Sequence, residues 1–133
     1  FMDEALRLIE RFHGHLGPYA VIGYRMGKIA CEKLNDDPFE KNAEVFTGTT
    51  PPISCIVDGI QLGSGCTLGK GNIKITDEKK PVAIFKDKNR RTIKITLKKE
   101  IHNEIDTTIT DENIIEYAEK IYEKTDEELF ELK

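Results

Sequence analysis

The hydrophobic repeat of this chain changes period at Gly71, and that change commits it to an α+β fold. Ahead of Gly71 the apolar residues recur mostly at helical spacing. Beyond it they alternate with polar residues in three short runs: Ile73 and Ile75; Val82, Ile84 and Lys86; Ile93, Ile95 and Leu97. Turns at Asp77–Lys80 and Asp87–Arg90 separate the runs, which predicts an antiparallel meander. The tail from Asp111 to Leu132 returns to helical spacing, with Ile114, Ala118, Ile121 and Tyr122 as its stripe. Thr125 to Glu128 has the capping-box pattern and marks a short break there. The expectation is one domain, residues 2–133, with helices packed on an antiparallel sheet.

The helical half divides at its glycines and prolines. Ala5, Leu8, Ile9 and Phe12 share a stripe on a first helix expected over Met2–Phe12. Gly14, Gly17 and Pro18 end it and open a second, from Pro18 to about Leu34, with Pro18 suited to the first turn. Ala20, Tyr24, Gly27, Cys31 and Leu34 lie on one face of that helix, which assigns Cys31 to the core. Gly23 and Gly27 lack side-chain bulk and read as the place where another backbone comes close; the alternative is a simple cost in helix stability. A turn at Asn35-Asp36-Asp37-Pro38 leads to a strand over Ala43–Thr49. After Pro51-Pro52 a third helix runs from about Ile53 to Leu62 and closes at Gly63-Ser64-Gly65.

Charge excludes some functions. The net charge is −4, and no Lys/Arg run stands apart from matching acids, so a nucleic-acid partner has no electrostatic footprint. No apolar run is long enough for a membrane span. The 3 cysteines, Cys31, Cys55 and Cys66, are an odd number, which argues for reduced thiols and a cytoplasmic setting rather than a disulfide framework.

The chemistry-bearing residues fall in three places. His13 and His15 flank Gly14 just before the Pro18 helix. In a turn backbone they share a side, whereas in a helix they would diverge by about 200°. Imidazoles there suit a metal, acid–base work or an anionic ligand, and equally a plain capping role. On the third helix Ile53, Ile56, Val57 and Ile60 form the core face, leaving Cys55 and Asp58 on the far side, one turn apart. Thiol and carboxylate at that spacing can serve one metal or one proton-transfer site, or the helix can be sandwiched with Cys55 as filler. Gly65-Cys66-Thr67-Leu68-Gly69-Lys70-Gly71-Asn72 does not satisfy the phosphate-loop spacing; it either wraps a ligand with Cys66, Thr67, Lys70 and Asn72 or turns the chain. His102 follows a charged strand end and reads as a surface residue.

Phe12-His13-Gly14-His15-Leu16, Gly23-Tyr24-Arg25-Met26-Gly27, Ser54 through Gln61 and Gly65 through Asn72 together resemble the FmdE family, named for a component of formylmethanofuran dehydrogenase. The resemblance implies an α+β domain, a homodimer, and a divalent metal, zinc among the candidates, held by His13, His15 and Cys55. It also implies a link to the molybdenum or tungsten enzyme that fixes carbon dioxide onto methanofuran, whose other chains become candidate partners. If the chain catalyses a reaction, His15 is the acid–base group and Cys55 the ligand or nucleophile, with Asp58 beside them. Many relatives read H-x-H-x-C-P-G, where this chain has Gly17 for the cysteine and Tyr19 for the last glycine. One thiol of that pattern is therefore absent; His15 and Cys55 remain matched, with His13, Asp58 and Cys66 as supplements. No C-x-x-C pair follows the resembling motifs here, so a short form without the zinc-ribbon extension of longer relatives is the expectation.

Overall fold

The computed structural model describes residues 3–133, so the expected helix start at Met2 lies outside them. Helix α1 spans Glu4–His13: the Asp3 carboxylate accepts from the Ala5 N–H at 2.8 Å, and Gly14 ends it at φ 101°. Helix α2 spans Pro18–Lys33 with proline in its first turn, and a short 3-10 turn at Pro38–Glu40 leads into strand β1, Lys41–Val45. Then come α3 (Cys55–Ser64), β2 (Ile73–Ile75), β3 (Val82–Asp87), β4 (Thr92–Leu97), α4 (Lys99–Thr108), α5 (Ile114–Glu123), α6 (Asp126–Leu129) and β5 (Phe130–Leu132).

The 5-stranded sheet has the order β2-β1-β3-β4-β5, and the fold is α+β, as the repeat pattern requires. The meander needs one correction: β2 does not neighbour β3. It runs parallel to β1, with Ala43 opposite Ile73, and β1 separates it from β3. The physical reason is α3, which carries the chain back along the sheet between β1 and β2, as any parallel connection demands. The β3 run needs a second correction: Ala83 and Phe85 are fully buried while Ile84 is only partly so and Lys86 is exposed, so alternation there marks neither the core face nor the neighbouring strand. The remaining pairs are antiparallel.

Two further segments depart from expectation. Lys99–Thr108 is a helix, buried through Ile101 and Ile105. The tail breaks at Thr125 with both halves of the capping box formed, then ends as a strand on the sheet edge, Phe130 opposite Leu97 and Leu132 opposite Ile95.

The core lies between the sheet and the helices. Ala43 and Val45, Ala83 and Phe85, and Ile93, Ile95 and Leu97 face inward, and burying each large apolar side chain contributes about 1.5–3 kcal/mol. On α3, Ile56 and Ile60 are fully buried and Val57 partly so, as is Ile53 just ahead of the helix. Among the described residues no helix is long and apolar enough to cross a membrane.

The tightest packing joins α2 to α3. A Cβ on Gly27 would lie 2.5 Å from the Ser64 nitrogen, one on Gly23 2.8 Å from the Ile56 carbonyl carbon, and one on Gly59 2.5 Å from the Tyr24 nitrogen. Positions rise together along both helices, so α2 and α3 run parallel, backbone against backbone. The Cys31 thiol bridges their far ends, 3.4 Å from the Gly63 carbonyl oxygen; it is half-buried at the seam rather than deep in the core. Parallel packing brings both helix N-termini to one end of the molecule.

Candidate functional site

A cavity of about 350 Å³ opens at that end. His13, His15 and Gly17 contribute from the α1–α2 turn, Pro18, Tyr19 and Ala20 from the start of α2, and Pro51, Pro52 and Cys55 from the approach to α3. Ile105 and Asp106 of α4, with Ile109 and Ile114 after it, complete the lining. The walls are mainly apolar with a few polar groups, the usual make-up of a small-molecule site.

The turn does hold the two imidazoles together: their ring centroids are 4.9 Å apart, tilted by 43°. His13 closes α1, and its Nδ1 lies 2.7 Å from Asp58 Oδ2 in the first turn of α3. Asp58 therefore orients His13 through Nδ1, and Nε2 has no hydrogen-bond partner among the described residues. The His15 ring uses the space beside Gly17, where an added Cβ would lie 2.9 Å from its Cε1. Absence of a side chain at position 17 is thus what lets the second imidazole lie back against the turn.

Cys55 opens α3 and lines the cavity, separated from the Asp58–His13 couple by the turn of helix between them. Burial first, and then the charge of Asp58, push its thiol above the ordinary value; its helix-terminal backbone hydrogen bond pulls the other way and loses. Neither α2 nor α3 has a side-chain cap on its first turn, so the positive ends of both helix dipoles face this region uncompensated by a capping side chain.

The glycine-rich loop lies elsewhere. Cys66 is fully buried in the core and does not line the cavity, so it does not join His13, His15 and Cys55 there. Asn72 pins the loop: its Oδ1 accepts from the Thr67 N–H at 2.8 Å, and its Nδ2 donates to the carbonyls of Pro38 at 2.8 Å and Lys41 at 3.1 Å. Lys70 Nζ donates to Thr67 Oγ1 at 3.3 Å and lies 5.5 Å from the centre of the exposed Phe39 ring. These contacts account for the loop as a turn held by its own side chains.

Sequence reasoning missed the other polar cluster in the cavity. Tyr19 donates its hydroxyl to Asp106 Oδ1 at 2.6 Å, and His102 Nε2 lies 3.3 Å from Asp106 Oδ2. His102 is not a bystander on the surface: its ring meets that of Tyr19 edge-on at 6.1 Å between centroids. The signal was Ile101, Ile105 and Ile109, spaced by four, which marks α4 and would have placed His102 and Asp106 together on its other side.

Donor types that zinc accepts are present in His13, His15 and Cys55. Yet among the described residues no group of three or more His, Cys, Asp or Glu side chains is gathered to hold a metal ion. The kinds of donor fit; a ready-made coordination cage is not there.

Comparison with known proteins agrees with the architecture. A probable S-adenosyl-L-methionine-binding protein of Archaeoglobus fulgidus is 31% identical over 97 residues, 71% of this chain, which spans only 26% of that relative. The crystal structure of an FmdE-like protein of the tungsten formylmethanofuran dehydrogenase type, from Syntrophus aciditrophicus, has the same fold, with a TM-score of 0.69 at 19% identity, covering 98% of this chain and 69% of that one. The family model described as FmdE, molybdenum formylmethanofuran dehydrogenase operon, matches residues 12–131. With the histidine turn, the Cys55 helix and the mixed sheet all inside the matched span, the chain belongs to the FmdE family.

Proposed function

We propose that this FmdE-family chain is a ligand-binding accessory module whose cavity seats a small organic molecule, apolar along its body and polar where it meets His13, His15 and Cys55. The observation that carries the reading is the cavity itself: about 350 Å³, apolar-walled, with the Asp58-oriented His13, His15 and Cys55 among its few polar groups. The curated relative, named for binding a small molecule, supports that class of ligand without specifying it. An NMR fragment screen on labelled protein tests the reading, with S-adenosyl-L-methionine among the molecules. Amide shifts at His15, Tyr19 and Cys55 are expected; hits confined to the Thr67–Asn72 loop contradict it.

A divalent cation, zinc first, is the second reading. It is favoured by the carboxylate held on His13 Nδ1, the arrangement that orients metal-binding histidines. His13, His15 and Cys55 would supply the donors, drawn together by the ion, and a bound cation would hold the Cys55 sulfur as thiolate. Zinc titration of metal-free protein checks it: stoichiometric uptake lost in Cys55→Ala and in His13→Ala supports the reading, and uptake unchanged in either removes it.

The accessory role includes a homodimer and association with molybdenum or tungsten formylmethanofuran dehydrogenase, motivated by the family description. Co-purification with that enzyme supports association; a chain that never binds it stands alone.

A further inference from the structure

The cavity carries one formal negative charge that neither reading uses. Asp106 lines it from α4, beyond the apolar patch made by Ile105, Ile109 and Ile114. Its Oδ1 accepts from the Tyr19 hydroxyl at 2.6 Å, and Oδ2 lies 3.3 Å from His102 Nε2. Tyr19 is 4% exposed and fixed in the first turn of α2, so the carboxylate is oriented by a rigid partner. A carboxylate has about four acceptor positions, and the Tyr19 hydrogen bond occupies one of them. About half of the Asp106 side chain (51%) remains open to solvent.

Among the described residues, the lining includes no Lys or Arg to neutralise that charge. The positive end of α3 lies with Cys55, and an ammonium, unlike a metal ion, cannot be ligated by imidazole or thiolate, so an organic cation is better placed against Asp106. The cavity is therefore electrically polarised along its apolar wall.

The geometry points to a ligand with a cationic amine, seated by Asp106 with Tyr19 and His102 as positioning residues, and with its apolar body on Ile105, Ile109 and Ile114. This inference deepens the small-ligand reading and rests on it. A charge-assisted hydrogen bond from ammonium to a fixed carboxylate is stronger than one from a neutral hydroxyl, so recognition shows as a preference for amine over its neutral isostere.

Benzylamine and benzyl alcohol are matched probes of that preference. Titrated into the intact chain and followed by NMR, benzylamine is expected to bind about tenfold or more tightly than benzyl alcohol, with shifts at Tyr19 and Ile105. Asp106→Asn, isosteric and half-exposed, is expected to remove the preference by bringing benzylamine affinity down to that of benzyl alcohol. Tyr19→Phe is expected to reduce the preference only in part, an effect on selectivity that a purely structural role would not produce. Equal affinity for the two probes in the intact chain, or a preference that survives Asp106→Asn, overturns the amine assignment while leaving a small-molecule cavity. Binding of neither probe, with no fragment in the cavity, overturns both.

Discussion

Replacing Gly59 by alanine tests the seam that builds the site. A Cβ there would lie 2.5 Å from the Tyr24 nitrogen and closer still to the Ala20 carbonyl oxygen. Both are backbone atoms of α2, so neither can rotate aside. Restoring ordinary contact requires the helices to separate by about 1 Å, which also loosens the Gly63–Tyr24 and Gly27–Ser64 contacts. Overpacking of this kind, with the voids that follow, costs about 3–4 kcal/mol, against about 1 kcal/mol regained because alanine favours helix over glycine. The expected net loss is about 2–3 kcal/mol, or a melting temperature lower by about 8–10 °C for a chain this size. Urea unfolding followed by circular dichroism measures it. Gly69→Ala is the control, because nothing lies within 4 Å of its added methyl and its φ is not positive; it should stay within about 0.5 kcal/mol of the parent. If Gly59→Ala is as stable as the parent, or no worse than Gly69→Ala, the close-packing argument fails.

Three further outcomes follow from particular contacts. Asn72→Ala removes one acceptor and two donor contacts that hold the glycine-rich loop, and should cost about 2–3 kcal/mol in urea unfolding without changing fragment binding in the cavity; a loss of binding with intact stability would restore the loop as a ligand site. Asp58→Asn removes the negative charge that helps hold the Cys55 thiol above the ordinary value of 9.0, so Cys55 alkylation at pH 8, resolved from Cys31 and Cys66 by mass spectrometry, should speed up several-fold; an unchanged or slower rate contradicts the assignment. Burial first, and then Asp106, hold the Tyr19 proton more tightly in the folded chain than in the unfolded one. Stability from this group is therefore complete below the ordinary phenol value of 10.0 and declines as pH rises past it, and Tyr19→Phe should flatten that alkaline decline in thermal melts.

The sequence was most informative where a local pattern has a local cause. The α1–α2 break at Gly14 and Pro18, the seam at Gly23 and Gly27, and the capping box at Thr125 each follow from backbone chemistry within a few residues, and each is present. The wheel of the third helix correctly put Cys55 and Asp58 off the core face, and one of them meets His13. Pairing was less legible: β2 alternates as a meander strand would, but its partner is set by the α3 crossover. Cys66 illustrates the same limit, because a thiol in a glycine-rich loop reads as available until tertiary packing buries it. Asp106 is silent in the sequence because its meaning comes from Tyr19, far away in the chain, and from the isoleucine spacing of α4, which is short and flanked by charge.

On the proposed reading the paired helix N-termini, the His13–His15 turn and Cys55 border one binding site. Crystals of the chain soaked with fragment hits and, separately, with zinc test it most directly, using anomalous diffraction at the zinc edge for the ion. Density for a bound organic molecule is expected against Ile105 and Ile114, reaching His15 or Cys55, with any zinc peak between the imidazoles and the Cys55 sulfur. A cavity that stays empty at saturating ligand, with density at the Thr67–Asn72 loop instead, would contradict it.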